Sequence, residues 1–302
     1  MQMLMLAILL GCQPSPLGPA GAAQAGGETV PVADTTWEGV LEVDFEGFET
    51  TQQLRDDRSV FAVENLHSDH VFLDRDVAFT EAGLTRSMRF DWVDQGPNSV
   101  SVGRGILLPH SVDEIWTEVA VRFSANYTPC NPAKPPCAHK LLFLLVRPDG
   151  NERWDVNLGG AGEPGPDVHV TMSGPFGHLE ARPDEDRAMW GVARARGWSL
   201  IKYDLAPANR YFDEQWHVLR LHAKHSSGEW TFDARMRLWI DGELLYDSEQ
   251  IRYEYGAGGF STLDGARVSA ILLGRNKDKG LDKGTESVWF GRVRAWKEDP
   301  GW

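Results

Sequence analysis

The chain has 302 residues, with 44 acidic against 30 basic side chains and a net charge of -14. That field disfavours non-specific attachment to nucleic acid or to an anionic membrane surface, and no basic tail occurs anywhere. A Gly-rich phosphate loop, H-E-x-x-H, G-x-S-x-G and paired C-x-x-C are all missing from the sequence, which removes the usual footholds for nucleotide hydrolysis, zinc proteolysis and α/β-hydrolase chemistry and implies no organic cofactor.

In chain order, Met3 to Leu10 is an unbroken apolar run. It is shorter than the ~20 residues that span a bilayer, but long enough for the core of a signal peptide. Leu9-Leu10-Gly11-Cys12 resembles the lipobox of bacterial lipoproteins, which would make Cys12 a lipidated residue and the lipid the chain's attachment to a membrane. Two departures stand beside the match: no Lys or Arg precedes the run, and Leu10 is bulkier than the small residue usual there. An ordinary cleaved signal peptide is the alternative. Residues 13–36 are small, proline-punctuated and aperiodic, as a flexible tether requires, and residues 37–302 are then expected to form one domain. Cys130 and Cys137 flank a Pro-rich loop at a spacing suited to a local disulfide, which would persist in an extracytoplasmic, oxidising compartment and contribute ~2 kcal/mol. Zinc finds only His139 as a further nearby ligand.

Period-two alternation predicts strands at Trp116–Phe123, Lys140–Arg147, Trp154–Leu158, Val168–Ser173, Trp216–Lys224, Arg235–Asp241, Val268–Leu273 and Val288–Trp296. Gly, Pro, Asn and Asp separate them, and long helices are absent from the pattern. The expected fold class is all-β, a two-sheet antiparallel β-sandwich or jelly roll. Residues 174–215 break the rhythm and are expected to form an irregular insertion whose Trp190, Trp198 and Tyr203 either stack on sugar rings or anchor the loop.

The order Trp216-His217-Val218-Leu219-Arg220-Leu221-His222, then Trp239-Ile240-Asp241-Gly242, Leu272-Leu273-Gly274-Arg275-Asn276 and Val288-Trp289-Phe290-Gly291-Arg292-Val293 resembles the concanavalin A-like lectin/glucanase jelly rolls, with their polysaccharide-lyase branches nearest. Val43 to Phe48 resembles the opening strand of such domains. The resemblance implies a protein that engages polysaccharide, and it is specific for fold rather than activity; with the export signals above, an extracytoplasmic monomer is expected. Against the three strand motifs of alginate-lyase-type members, Arg86-Ser87-Met88-Arg89 lacks the Glu of the first, Asp167-Val168-His169 carries Asp for Gln in the second, and Leu272-Leu273-Gly274 lacks the Tyr of the third. By that resemblance Arg86 and Arg89 would bind substrate and His169 would transfer a proton, with Tyr203 or Tyr211 replacing the missing tyrosine.

Two further patterns carry chemistry. Glu42, Asp44 and Glu46 match the E-x-D-x-E of laminarinase-type hydrolases, where alternation sets three acids on one strand face; Asp44 and Glu46 would equally suit a structural Ca²⁺. Alternation also places Arg220, His222 and Lys224 on one face of one strand, and Arg235, Arg237 and Trp239 on one face of the next. If those strands pair, a basic, aromatic-edged surface results that fits an anionic polysaccharide, with Lys140 and His139 at its border and Asn157 among the expected substrate-binding residues. His169, His222 and Tyr203 are the expected acid–base groups of a β-elimination. A non-catalytic glycan-binding module and a hydrolase using Glu42 and Glu46 are the competing readings.

Overall fold

Alternation of apolar and polar side chains is what builds this molecule. In the computed structural model the described residues are 40–93, 100–128, 139–145, 153–158, 167–175, 179–181, 198–227, 231–253, 268–274, 276–277 and 284–302. Strand β1 (Val40–Val43) precedes helix α1 (Thr51–Asp56). There follow β2 (Val63–Leu66), β3 (Val71–Asp74), β4 (Ser87–Trp92), β5 (Val100–Ser101), β6 (Gly103–Val112), β7 (Glu114–Phe123), β8 (His139–Leu145), β9 (Arg153–Leu158) and β10 (Asp167–Pro175). The remainder are β11 (Leu179–Ala181), β12 (Trp198–Pro207), β13 (Trp216–Lys224), β14 (Ala234–Ile240), β15 (Glu243–Tyr253), β16 (Val268–Leu273), β17 (Asn276–Lys277) and β18 (Glu286–Trp296).

Two antiparallel sheets result. The first runs β11-β15-β14-β13-β7-β18-β4-β3, with β1 also paired to β18; the second runs β12-β10-β9-β8-β16-β6-β2, with β17 bridging β5 and β8. Their apolar faces meet in one core, to which β4, β7 and β18 bring Phe90, Trp92, Val121 and Phe290, while β6, β8, β9, β10 and β16 bring Ile106, Leu142, Leu144, Val156, Val170 and Ile271. Burying each such side chain contributes ~1.5–3 kcal/mol. The chain is therefore an all-β jelly-roll sandwich.

Strands β13 and β16 fall where alternation predicts them. Two segments differ. The opening strand is Val40–Val43 rather than Val43–Phe48, because Phe45 adopts a left-handed φ of 65° that turns the chain and buries its ring against Phe61. Residues 174–215, expected to be irregular, contain the end of β10 and all of β11 and β12, which pair with β15 and β10 respectively. Proline and charge punctuation there hid strands whose partners lie far along the sequence.

Gly274, just past β16, shows how tightly the layers approach. Its φ is 63°, and a Cβ there would lie 2.7 Å from the Val102 carbonyl oxygen and 2.9 Å from the Phe90 ring, so only glycine fits.

Candidate functional site

Cross-strand register in the second sheet assembles one polar row from four strands. Lys140 of β8 pairs with Asn157 of β9, Asn157 with His169 of β10, and His169 with Asp204 of β12. Directly opposed residues in a sheet share a face. Along each strand this row alternates with residues of the core, among them Leu142, Val156, Val168 and Val170. Two β-bulges flank it: Leu141 is the extra residue where β8 shifts register between Lys140 and Leu142, and Leu205 is the extra residue where β12 faces the Val168–His169 step. Bulges re-aim side chains and concentrate beside active sites. Without the second bulge, Leu205 rather than Asp204 would stand across from His169.

The next row on that face changes character along its length. It reads Gly105, Leu272, Phe143, Asp155, Thr171 and Lys202 from β6 to β12. Phe143 and Leu272, with Leu145 and Ala270, form a buried apolar cluster separate from the main core. One end of this sheet face is thus closed by hydrocarbon, and the β9–β10–β12 end carries the polar positions. The side chains of Asn157, His169, Tyr203 and Asp204 lie outside what the structure describes, so the row is one of backbone register. Tyr203 pairs in register with Val170, one residue off the row, so the position opposed to His169 belongs to Asp204 and not to the expected tyrosine.

The expected partnership of β13 and β14 does form. Arg220 pairs with Trp239, His222 with Arg237 and Lys224 with Arg235. These residues, however, lie on the first sheet, whereas Lys140, Asn157 and His169 lie on the second, so the two sets cannot form one site. Nor is the surface bare of acid. Strand β7 on one side and β15 on the other supply carboxylates: Arg220 Nε donates to Glu118 at 3.0 Å, and Arg235 and Arg237 both reach Asp247, at 3.0 and 3.3 Å. Arg292 and Arg294 of β18 extend the lattice to Glu118 and Glu42.

His222 is the clearest correction. Its ring stacks on Trp116 with centroids 3.8 Å apart, its Nε2 lies 2.8 Å from Glu114 Oε1, and only 2% of it is exposed. Burial, only partly offset by Glu114, holds its pKa below the ordinary value and favours the neutral ring. A ring stacked on Trp116, bonded to Glu114 and buried in this way is not placed to take a sugar C5 proton.

Arg86 and Arg89 also have structural partners. Arg86 donates to the backbone oxygens of Glu46 and Phe48, tying down the turn after β1. Arg89 lies 2.8 Å from Asp74 and 3.0 Å from Asp91, with Phe72 beneath its guanidinium. Burial pushes Asp74 upward, but hydrogen bonds from Trp289 Nε1, Val77 N and Asp76 N, with Arg89 alongside, outweigh it and keep the carboxyl below its usual range.

The E-x-D-x-E acids do not share a strand face. Glu42 is in β1 and pairs with Arg294; Asp44 Oδ1 accepts the Glu46 amide at 3.1 Å in the turn made by Phe45. Both Glu46 oxygens are engaged, accepting from Thr85 N and Thr85 Oγ1 at 2.7 Å and from Arg86 N at 3.0 Å. The slight burial of Glu46 raises its pKa, but these donors dominate and lower it. That is a backbone clamp, and it removes the acid pair a retaining hydrolase would need. Among the described residues no group of three or more His, Cys, Asp or Glu is arranged to hold a metal ion. Cys12, Cys130 and Cys137 lie outside the described residues.

Three features escaped the sequence reading. Asp204 stands opposite His169 only through a bulge. Tyr127 and His139, both buried, are hydrogen-bonded through Tyr127 Oη and His139 Nδ1, and burial with the nearby Glu286 carboxylate pushes the phenol pKa well up, so Tyr127 keeps its proton and anchors the start of β8. His217 lies between Asp241, 2.7 Å from Nδ1, and Asp213, 2.9 Å from Nε2. Two carboxylates on one imidazole require both nitrogens to donate, the imidazolium state.

No family model matches this sequence, and no curated protein matches it. Among solved structures, a mutant of the alginate lyase Aly36B in complex with an alginate tetrasaccharide superposes with a TM-score of 0.51 at 8% identity, covering 86% of this chain and 97% of that one. The cellulose-induced protein Cip1 gives 0.46 at 11% identity over 85% and 97% of the two chains. A family 16 glycosyl hydrolase protein from Mycobacterium smegmatis gives 0.37 at 15% over 92% and 96%. The first of these likenesses establishes the shared sandwich fold.

Proposed function

We propose that this protein binds an acidic polysaccharide across β8, β9, β10 and β12 and cleaves it by β-elimination. The observation that carries the reading is the row Lys140, Asn157, His169 and Asp204 between two bulges. Elimination from a uronate needs the sugar carboxylate neutralised, the C5 proton removed and the leaving oxygen protonated. Lys140 and Asn157 are the cation and amide for the carboxylate. His169 is the base: as it takes the C5 proton, the C–H electron pair forms the C4–C5 double bond and the C4–O bond breaks. In a syn elimination the resulting imidazolium returns that proton to the departing oxygen, so no separate tyrosine is required. Asp204, opposite His169 in register, favours the imidazolium between those steps. That a protein of the same fold is an alginate lyase holding alginate supports the substrate class. Within this reading the protein works outside the cytoplasm, as a monomer, held to a membrane through lipid on Cys12 and with Cys130 joined to Cys137.

The test is absorbance at about 235 nm, where a conjugated unsaturated uronate absorbs, for the full chain against alginate, glucuronan, pectic, heparinoid and neutral glucan polymers. A rise on one acidic polymer that is lost in His169→Ala, with the thermal melt unchanged, is the expected result. Retention on a polysaccharide gel with no rise on any polymer transfers the row to a non-catalytic binding module.

A further inference from the structure

The outer face of the first sheet holds a second constellation, remote in topology from the polar row. Trp116 of β7, Trp239 of β14 and Trp296 of β18 are gathered there, and the segment after β18 folds Trp302 onto them. Trp116 and Trp239 lie nearly parallel, with centroids 6.2 Å apart and planes at 26°, and His222 stacks with Trp116. Trp302 stands edge-on to all three tryptophans, at 5.2 Å from Trp116, 5.2 Å from Trp239 and 6.1 Å from Trp296, with Arg220 5.0 Å from its ring. The turn that aims it is local: Asp299 Oδ1 accepts the Gly301 amide at 2.8 Å, and Gly301 takes a left-handed φ of 83°.

We propose that this tryptophan floor is a binding site for a neutral hexopyranose chain and that Trp302 is an in-chain occupant which covers it. A flat floor of indole faces matches the apolar C–H face of a pyranose, and the rim of guanidinium and carboxylate groups from Arg220, Glu118, Arg237 and Asp247 offers planar donors and acceptors to ring hydroxyls. Each rim guanidinium already lies against a carboxylate, Arg220 and Arg292 against Glu118 and Arg235 and Arg237 against Asp247, so an anionic sugar would meet every one of them beside an acid. This distinguishes the site from the row on the other sheet. The occupant is also imperfectly suited to its place, since the Trp302 indole N–H is buried with no hydrogen-bond acceptor among the described residues. That loss counts against the covered state and makes Trp302 displaceable.

The experiment is calorimetric titration of the full chain, wild type and Trp302→Ala, with cello-oligosaccharides. Roughly tenfold tighter binding by Trp302→Ala, returning to the wild-type level or below in Trp302→Ala/Trp239→Ala, is the expected result. His169→Ala leaves this binding unchanged, so its outcome is independent of the elimination reading. A folded Trp302→Ala protein that binds no tighter than wild type overturns the proposal and leaves Trp302 as packing alone. If Trp302→Ala loses its cooperative melt, Asp299→Ala, which removes only the acceptor that shapes the turn, is read by the same criterion.

Discussion

Replacing His217 by glutamine tests the charge state that geometry assigns to it. His217 is buried, whereas its partners Asp213 and Asp241 remain 48% and 46% exposed at their side chains. The substitution deletes two charge-assisted hydrogen bonds, each of which is worth ~1.5–3 kcal/mol in favourable cases. Half-exposed carboxylates recover much of that by rehydrating, so the net loss should be about 2 kcal/mol, or roughly 4–8 °C in Tm for a domain of this size. The pH dependence follows from the direction of each shift. Burial depresses the His217 pKa, but the two aspartates outweigh it and raise it above its ordinary 6.5. Its stabilisation is fully present below the unfolded value and is lost as pH rises through the folded one. Asp213 and Asp241 are lowered from 3.8, burial being outweighed by their donors, so their share is present above that value and is lost as pH falls through the folded one. The gap between wild type and His217→Gln in urea denaturation should therefore be widest from about pH 4 to 6 and should narrow as pH rises beyond 6.5. A gap that is constant from pH 5 to about 9, or that widens with pH, refutes the imidazolium assignment.

Other expectations are as direct. Gly274→Ala should cost ~2–4 kcal/mol by combining a disfavoured φ with backbone overlap, measured by guanidinium unfolding; a loss under ~1 kcal/mol would show that β16 and β6 can shift apart. Glu46→Gln should lower stability by ~1 kcal/mol and leave any glycan cleavage rate unaltered, whereas a collapse of activity in a folded variant would return the acid to the chemistry. His222→Gln should retain elimination within about twofold, read at the same ultraviolet band as His169→Ala, because its ring is buried beneath the tryptophan floor.

Alternation made the strands and their faces legible, and even the pairing of Arg220 with Trp239 and His222 with Arg237 follows from two neighbouring strands read together. What periodicity does not contain is the identity of distant neighbours. Arg220 looks like a free cation until β7, about a hundred residues earlier, sets Glu118 against it, and Asp247 does the same for two more arginines. Bulges are equally hidden, since one extra leucine in β12 decides whether Leu205 or Asp204 stands opposite His169. For the same reason Glu42, Asp44 and Glu46 read as a catalytic stripe until the left-handed Phe45 breaks the strand between them. Trp302, in turn, carries no local sign of the three tryptophans it joins.

Strand β18 imposes an order of events on folding. Its eleven residues pair with β7 along one side, while β4 occupies the first part of the other side and β1 the second. Three segments from the first half of the chain thus wait for a ribbon made near residue 290. Loops that long close slowly, and until they do the edges of β1, β4 and β7 stay unsatisfied and adhesive. Any fragment that stops short of residue 286 should accordingly be recovered as aggregate, and the intact chain should acquire its first sheet in a single late step rather than strand by strand.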